Sequence, residues 1–165
     1  MKKNKMSADL YEFCVELIES RGVAIREIAE VTYGLQKPYL DEITVDDAET
    51  AVRAVLRKRE AQYAILTGLE IDRLSEEGLL QGPIADIIQQ DYSLYGVDEI
   101  LALSVVNVYG SIGLTNFGYL DKAKEGVIKE IDEKSRNPNQ VNTFFDDLIC
   151  AIAAAAASKM AHQYT

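Results

Sequence analysis

The chain has 165 residues, enough for one domain with a real core. Its 48% apolar and 27% charged content is that of an ordinary globular protein, which excludes disordered and fibrous classes. A formal net charge of −10 argues against a nucleic-acid partner and against attraction to anionic lipid, and leaves divalent cations as natural partners.

The dominant period is helical. Leu10, Phe13, Cys14, Leu17 and Ile18 fall at i, i+3, i+4, i+7 and i+8, and Gly22 fits a stop. Ile25, Ile28, Ala29 and Leu35 mark a second helix, ended by Lys37-Pro38 because a residue before proline disfavours the α region. Thr44 with Asp47 three residues on predicts a capping box before the stripe Val45, Ala48, Val52, Val55 and Leu56. Residues 57–77 stay helical, and Gly68 either bends one helix or divides two. Pro83 opens a short helix through Ile84, Ile87 and Ile88. Residues 97–110 are apolar on nearly all sides, so this helix is expected at the centre of the core. Gly110 to Gly113 read as a terminator. Residues 116–134 read as a loop leading into a polar helix, and 135–140 as a turn-rich link. The closing helix starts near Thr143 and carries the alanine run 153–157.

No alternating strand pattern appears. The expected fold is an all-α single-domain bundle over residues 1–165, with two apolar inner helices, 95–115 and 144–161, in a jacket of amphipathic ones. Cys14 and Cys150 sit in apolar stripes and read as free, buried thiols. The N-terminal segment is too charged for a signal sequence, and no apolar stretch is expected to approach the ~18 to 20 residues that span a bilayer. The expected location is cytoplasmic, and small-residue helix faces suit a homo-oligomer.

Two acidic doublets stand out: Asp98-Glu99 and Asp146-Asp147, each in or near the first turn of one of the two most apolar helices. Part of this is capping. Acids in a first turn are favoured by the helix dipole, and Thr143 as N-cap would put Asp146 at the third helical position. Capping does not account for both members. Neighbouring helical residues point about 100° apart, and the positions one turn on are apolar for all four acids. No Lys or Arg lies within three or four residues of any of them. Buried, unpartnered carboxylates are costly, and a hard divalent cation that prefers oxygen ligands is their simplest shared partner. Such a site suits metal-assisted phosphoester hydrolysis. Lys122 and Lys124, beside Asp121 in the segment between the two inner helices, supply protein cations for a phosphate. In the run Arg57-Lys58-Arg59, Arg59 is the residue expected to reach one.

The order Val-Asp-Glu-Ile at 97–100, Leu-Asp-Lys-Ala-Lys at 120–124 and Asp-Asp-Leu at 146–148 resembles phosphatidylglycerophosphatase A, as a soluble, divergent branch. Those enzymes are Mg²⁺-dependent phosphatases with a D-E doublet, an L-D-x-x-K-P segment and a D-D-I-x-A/G doublet. The resemblance implies Mg²⁺ (or Mn²⁺) held by Asp98, Glu99, Asp146 and Asp147. It implies catalytic roles for Asp121, as ligand, base or nucleophile, and for Lys124, as a phosphate contact. Lys122 and Arg59 would be substrate contacts. The substrate would be a phospholipid headgroup or a phosphorylated small molecule. The family's proline after the lysine is Glu125 here, and its N-terminal glycine-rich segment has no counterpart. The rival expectation is a non-catalytic helical interaction protein with a structural metal site or capped helices. The only histidine, His162, is too little for Ser-His-Asp or Cys-His catalysis or a typical zinc site.

Overall fold

The structure, a computed structural model, describes the backbone of residues 2–164 and the side chains of residues 10–164. The described residues fold as α1 (Lys2–Ser20), α2 (Ile25–Gln36), α3 (Val45–Leu56), α4 (Arg59–Glu76), α5 (Pro83–Gln89), α6 (Val97–Val106), a 3₁₀ turn at Asn107–Tyr109, α7 (Gly110–Ala123), α8 (Val127–Asp132) and α9 (Phe145–Tyr164). They contain no strand. The all-α, single-domain expectation holds.

Helix α9 is the axis of the bundle. Every residue from Phe145 to Ser158 is buried, and α2, α3, α4, α6, α7 and α8 all pack on it. The alanine run explains how: short side chains let several helices approach one helix from different directions. Most of the stripes expected for the earlier helices are buried, but Phe13 of the α1 stripe is exposed and Leu10, Leu17 and Val45 are only partly buried. Cys14 and Ile18 of α1, Ile25, Ile28 and Ala29 of α2, and Ala48, Val52, Val55 and Leu56 of α3 are all in the core. The Thr44–Asp47 capping box forms, with the Asp47 N–H donating to Thr44 Oγ1 at 3.2 Å and the Thr44 N–H to Asp47 Oδ2 at 2.8 Å. Both cysteines are free and buried. Gly68 neither bends nor breaks α4; it is a point of close approach. A Cβ there would lie 2.7 Å from Leu148 Cδ1 and 3.0 Å from Phe144 Cβ, both at the start of α9.

Two expectations are corrected at the element level. Residues 95–115 are not a second inner helix. Helix α6 buries one side only, through Asp98, Ala102, Val105 and Val106, while Val97 and Ile100 are 52% and 67% exposed. An all-round apolar helix ordinarily implies cover on all sides; here the outer side has none. Residues 116–123 are not a loop but the second half of α7, which packs on α9 through Gly113, Phe117 and Leu120 at helical spacing. Glycines and amides in that stretch hide its period. As a result the helical run Val97–Ala123 is long and apolar enough, by length and composition alone, to cross a bilayer, and only 28% of its most apolar window is buried. The expectation that no stretch approaches that length counted Gly110–Gly113 as a break.

Candidate carboxylate site at the head of α9

The site is built where α9 begins, and the segment leading into it is pinned first. The buried Arg21 guanidinium donates to Glu76 Oε1 at 2.6 Å, to the Val141 carbonyl at 2.6 Å and to Asn142 Oδ1 at 3.3 Å. Glu76 accepts in turn from the Val141 N–H at 2.9 Å. Asp72, fully buried on α4, then takes the helix start. Its carboxylate accepts from the Phe144 N–H at 3.1 Å and the Phe145 N–H at 3.0 Å, two of the amides that a helix leaves without internal partners. Thr143 is therefore not the cap that the sequence implies; its hydroxyl donates to the Ile88 carbonyl at 2.7 Å. Because Asp72 caps α9 from a neighbouring helix, Asp146 and Asp147 are free for another task.

Asp146 is 7% exposed and Asp147 4%. Lys124 reaches Asp146 from the end of α7. Its Nζ lies 2.9 Å from Asp146 Oδ2 and 2.8 Å from Asp121 Oδ1, so one ammonium bridges two of the motif carboxylates. Burial disfavours that ammonium, but the charge on Asp146 and the bonds to Asp121 and Asp146 outweigh it, and its pKa stands above the ordinary lysine value. The Asp146 carboxyl is raised by burial despite Lys124. Asp147 makes no hydrogen bond or ion pair to a described side chain or backbone group. It is raised much further, by burial first and then by the charges of Asp146, Asp98 and Asp121. Lys124 ties Asp121 to Asp146, and α6, α7 and α9 pack on one another, so the two doublets and the α7 aspartate lie at one end of these three helices.

Asp98 is 8% exposed, and its Oδ1 accepts the adjacent Glu99 N–H at 3.0 Å, a partial cap for α6. Glu99 is exposed at the rim, where burial and the charges of Asp121 and Asp98 raise its pKa. Lys122 is exposed beside Asp121. Arg59 is not brought to the cluster. It is the exposed first residue of α4, 13 positions before Asp72, or roughly 20 Å along the helix axis.

Three residues escaped the sequence reading. Asp72 is one; it interrupts the apolar stripe Ala61, Ala64, Ile65, Gly68 and Leu69, and that interruption was the available signal. Asp91 and Asp132 are the others. With Lys134, Asn142, Thr143 and Asp146 they line a cavity of about 20 Å³ beside the cluster, and no local pattern announces them. Asp91, Lys124 and Lys134 all have positive φ, at 49°, 49° and 53°. For side chains with a Cβ this costs roughly 1–2 kcal/mol each, and such strain concentrates at functional sites.

The donor chemistry fits a hard divalent cation. The group is all oxygen, it holds more negative charge than Lys124 balances, and Asp147 is a buried carboxylate with no protein partner. As the side chains stand, no three His, Cys, Asp or Glu residues among those described are close enough to hold one ion together. Asp98, Asp146 and Asp147, with Asp121 or Glu99, are the residues that would hold it.

Over residues 18–162 the chain matches the family described as phosphatidylglycerophosphatase A. The chain belongs to that family. The phosphatidylglycerophosphatase A resemblance rested on three short segments spread over some fifty residues, and the fold brings them to one place, at the first turns of α6 and α9 and the last turn of α7. The uncharacterized protein YpjQ of Bacillus subtilis is 47% identical over 164 residues, 99% of this chain and 90% of that protein. A protein of unknown function from Bacillus stearothermophilus superposes with a TM-score of 0.90 at 48% identity, covering 94% of this chain and 95% of the other. The low temperature requirement C protein of Listeria monocytogenes superposes with a TM-score of 0.89 at 49% identity, covering 94% and 96%.

Proposed function

We propose that the carboxylate cluster is the Mg²⁺ or Mn²⁺ site of a phosphatase that hydrolyses a phosphomonoester. The observation that carries this reading is Asp147: a buried carboxylate without a partner, set among three further motif carboxylates, in a chain of the phosphatidylglycerophosphatase A family. A bound divalent ion would supply charge to polarise phosphoryl oxygens and to activate water. Asp98, Asp146 and Asp147 would hold it, with Glu99 at the rim. Lys124 already sits against two carboxylates and would turn toward a phosphate oxygen. Asp121, held at 2.8 Å by Lys124 and only partly buried, would accept a proton from an attacking water. Lys122 would meet the substrate at the rim. Arg59 lies too far away to take part.

Leu94, Val97 and Ile100, all exposed and flanking Asp98 in sequence, favour a phosphomonoester with an apolar portion, such as a phospholipid headgroup presented with its chains. The test is phosphate release with Mg²⁺ or Mn²⁺ from phosphatidylglycerophosphate and from a panel of soluble phosphomonoesters. The expected result is turnover that falls on the order of 100-fold or more in Asp147→Asn and in Asp98→Asn. One observation favours the rival, a non-catalytic helical protein: the Asp121–Lys124–Asp146 bridge is complete without an ion. Absence of turnover with every substrate and either metal would establish that rival.

A further inference from the structure

The longest uncharged stretch of the chain runs from Ile100 to Leu120, 21 residues in a protein of which 27% are charged. It covers most of α6, the 3₁₀ turn and most of α7. One side of α7, through Gly113, Phe117 and Leu120, packs on α9. The opposite side is turned outward. Ile112, Leu114 and Tyr119 are 38%, 43% and 50% exposed there. A contiguous apolar face of this kind marks an interaction site.

Its relief is as specific as its polarity. At about 100° per residue, Ser111, Thr115 and Gly118 fall along the outermost line of α7. Leu114 stands on one flank of that line, and Ile112 and Tyr119 on the other, so small side chains form a groove between two apolar ridges. A Cβ at Gly118 would meet no atom within 4 Å. Glycine is a poor helix former, and nothing inside the chain requires it at this position. A body packed closely from outside would require it. A recess of about 360 Å³ between α7 and residues 36–40 prolongs the face toward Leu40 and Tyr39, and no charged side chain lines it.

Charge selects the occupant. The chain carries a net charge of −10, and residues 100–120 hold no Lys or Arg to draw an anionic lipid surface. A basic protein partner would be drawn to the acidic surfaces instead. Two copies of this chain repel each other except where neither presents charge, and this face is such a place. A groove with ridges beside it is also complementary to its own copy after a half-turn.

We propose that the outward side of α7 is the contact of a homodimer, in which two α7 helices cross antiparallel about a twofold axis near Leu114 and Thr115. Ser111 of each copy then lies against Gly118 of the other, where the missing Cβ lets the backbones approach. Helix α7 is roughly 21 Å long, and with the recess the face is about 20 Å wide, a footprint on the order of 400 Å² per copy. That is about half of the ~800 Å² that each partner buries in a standard interface. The dimer is therefore reversible, with a Kd in the micromolar range. It takes no residue from the carboxylate site and does not depend on that site's chemistry.

The test is sedimentation velocity of the full chain over about 1 to 300 μM. The expected result is a sedimentation coefficient that rises with concentration to that of a dimer, and a Kd raised about tenfold or more in Thr115→Glu and in Gly118→Leu. Both positions are exposed, so thermal midpoints no lower than wild type at the lowest concentration separate a lost contact from a lost fold. A wild type that stays monomeric throughout overturns the proposal. A dimer that either variant leaves intact overturns the crossing at α7. In flotation with vesicles of neutral phosphatidylcholine, wild type is expected to remain unbound; monomeric protein that floats would replace the second copy with a lipid surface.

Discussion

Asp147 carries an electrostatic cost that only the charge of Lys124 opposes, with no hydrogen-bond partner among the described residues, and that cost has a direction in pH. Its carboxyl is raised above the ordinary value of 3.8 in the folded chain, by burial and by the neighbouring acids. A raised carboxyl holds its proton more tightly folded than unfolded. The associated stability is present below the unfolded pKa and is lost as pH rises toward the folded one. In metal-free buffer the urea midpoint should therefore fall between about pH 5 and pH 8, and fall less in Asp147→Asn. An identical slope in the two proteins would mean that Asp147 finds a partner in solution. Asp72 is also raised by burial, but two backbone N–H donors and the charge of Arg21 partly offset that burial. Asp72→Ala leaves the Phe144 and Phe145 amides without an acceptor and should cost about 2–4 kcal/mol by urea unfolding. A loss under about 0.5 kcal/mol would show that water replaces the cap.

At the scale of the element, α4 and α9 meet through Gly68. Gly68→Ala would press a methyl group into Leu148 and Phe144, and overpacking of that kind costs about 1–3 kcal/mol, against roughly 1 kcal/mol gained in helix propensity. Net destabilisation is expected in thermal melts; a stabilised variant would mean that α4 and α9 can separate without loss. The stripes of α1 to α3 and the alanine-rich α9 were legible in the sequence because apolar spacing and burial report the same fact. Helix α6 was not, because apolar composition does not say whether anything covers it, and its outer side is bare. Helix α7 was hidden by Gly113, Asn116 and Gly118, which blur the period without breaking the backbone. The doublets were legible as conflicts between charge and burial. Their meeting, and the lysine that bridges Asp121 to Asp146, depend on how α6, α7 and α9 cross, which no local pattern encodes. Asp72 was legible as an acid in an apolar stripe, although its role as a cap for another helix was not.

The whole molecule carries two surface features that pull in different directions. A net charge of −10 opposes adsorption to anionic lipid, while Leu94, Val97 and Ile100 form an apolar approach beside the carboxylates. On the proposed function, together they would suit a substrate that brings its own apolar portion to the site. On the proposed function, Ile100→Lys should raise KM for phosphatidylglycerophosphate several-fold while leaving a soluble phosphomonoester unchanged, because only a lipid substrate would reach across the exposed side of α6. An equal effect on both substrates would place Ile100 in the reaction site itself.

The account rests on a cation completing the cluster that Lys124 only half balances. Calorimetric titration of the metal-free chain with Mn²⁺, at a pH near 7.5, examines this without reference to any substrate. The predicted result is saturable binding by wild type, lost or weakened on the order of tenfold or more in Asp147→Asn and in Asp98→Asn, with a thermal midpoint that rises with Mn²⁺ in wild type alone. No heat of binding and an unmoved midpoint in wild type would contradict it, and would leave the carboxylates as a structural ion-pair network.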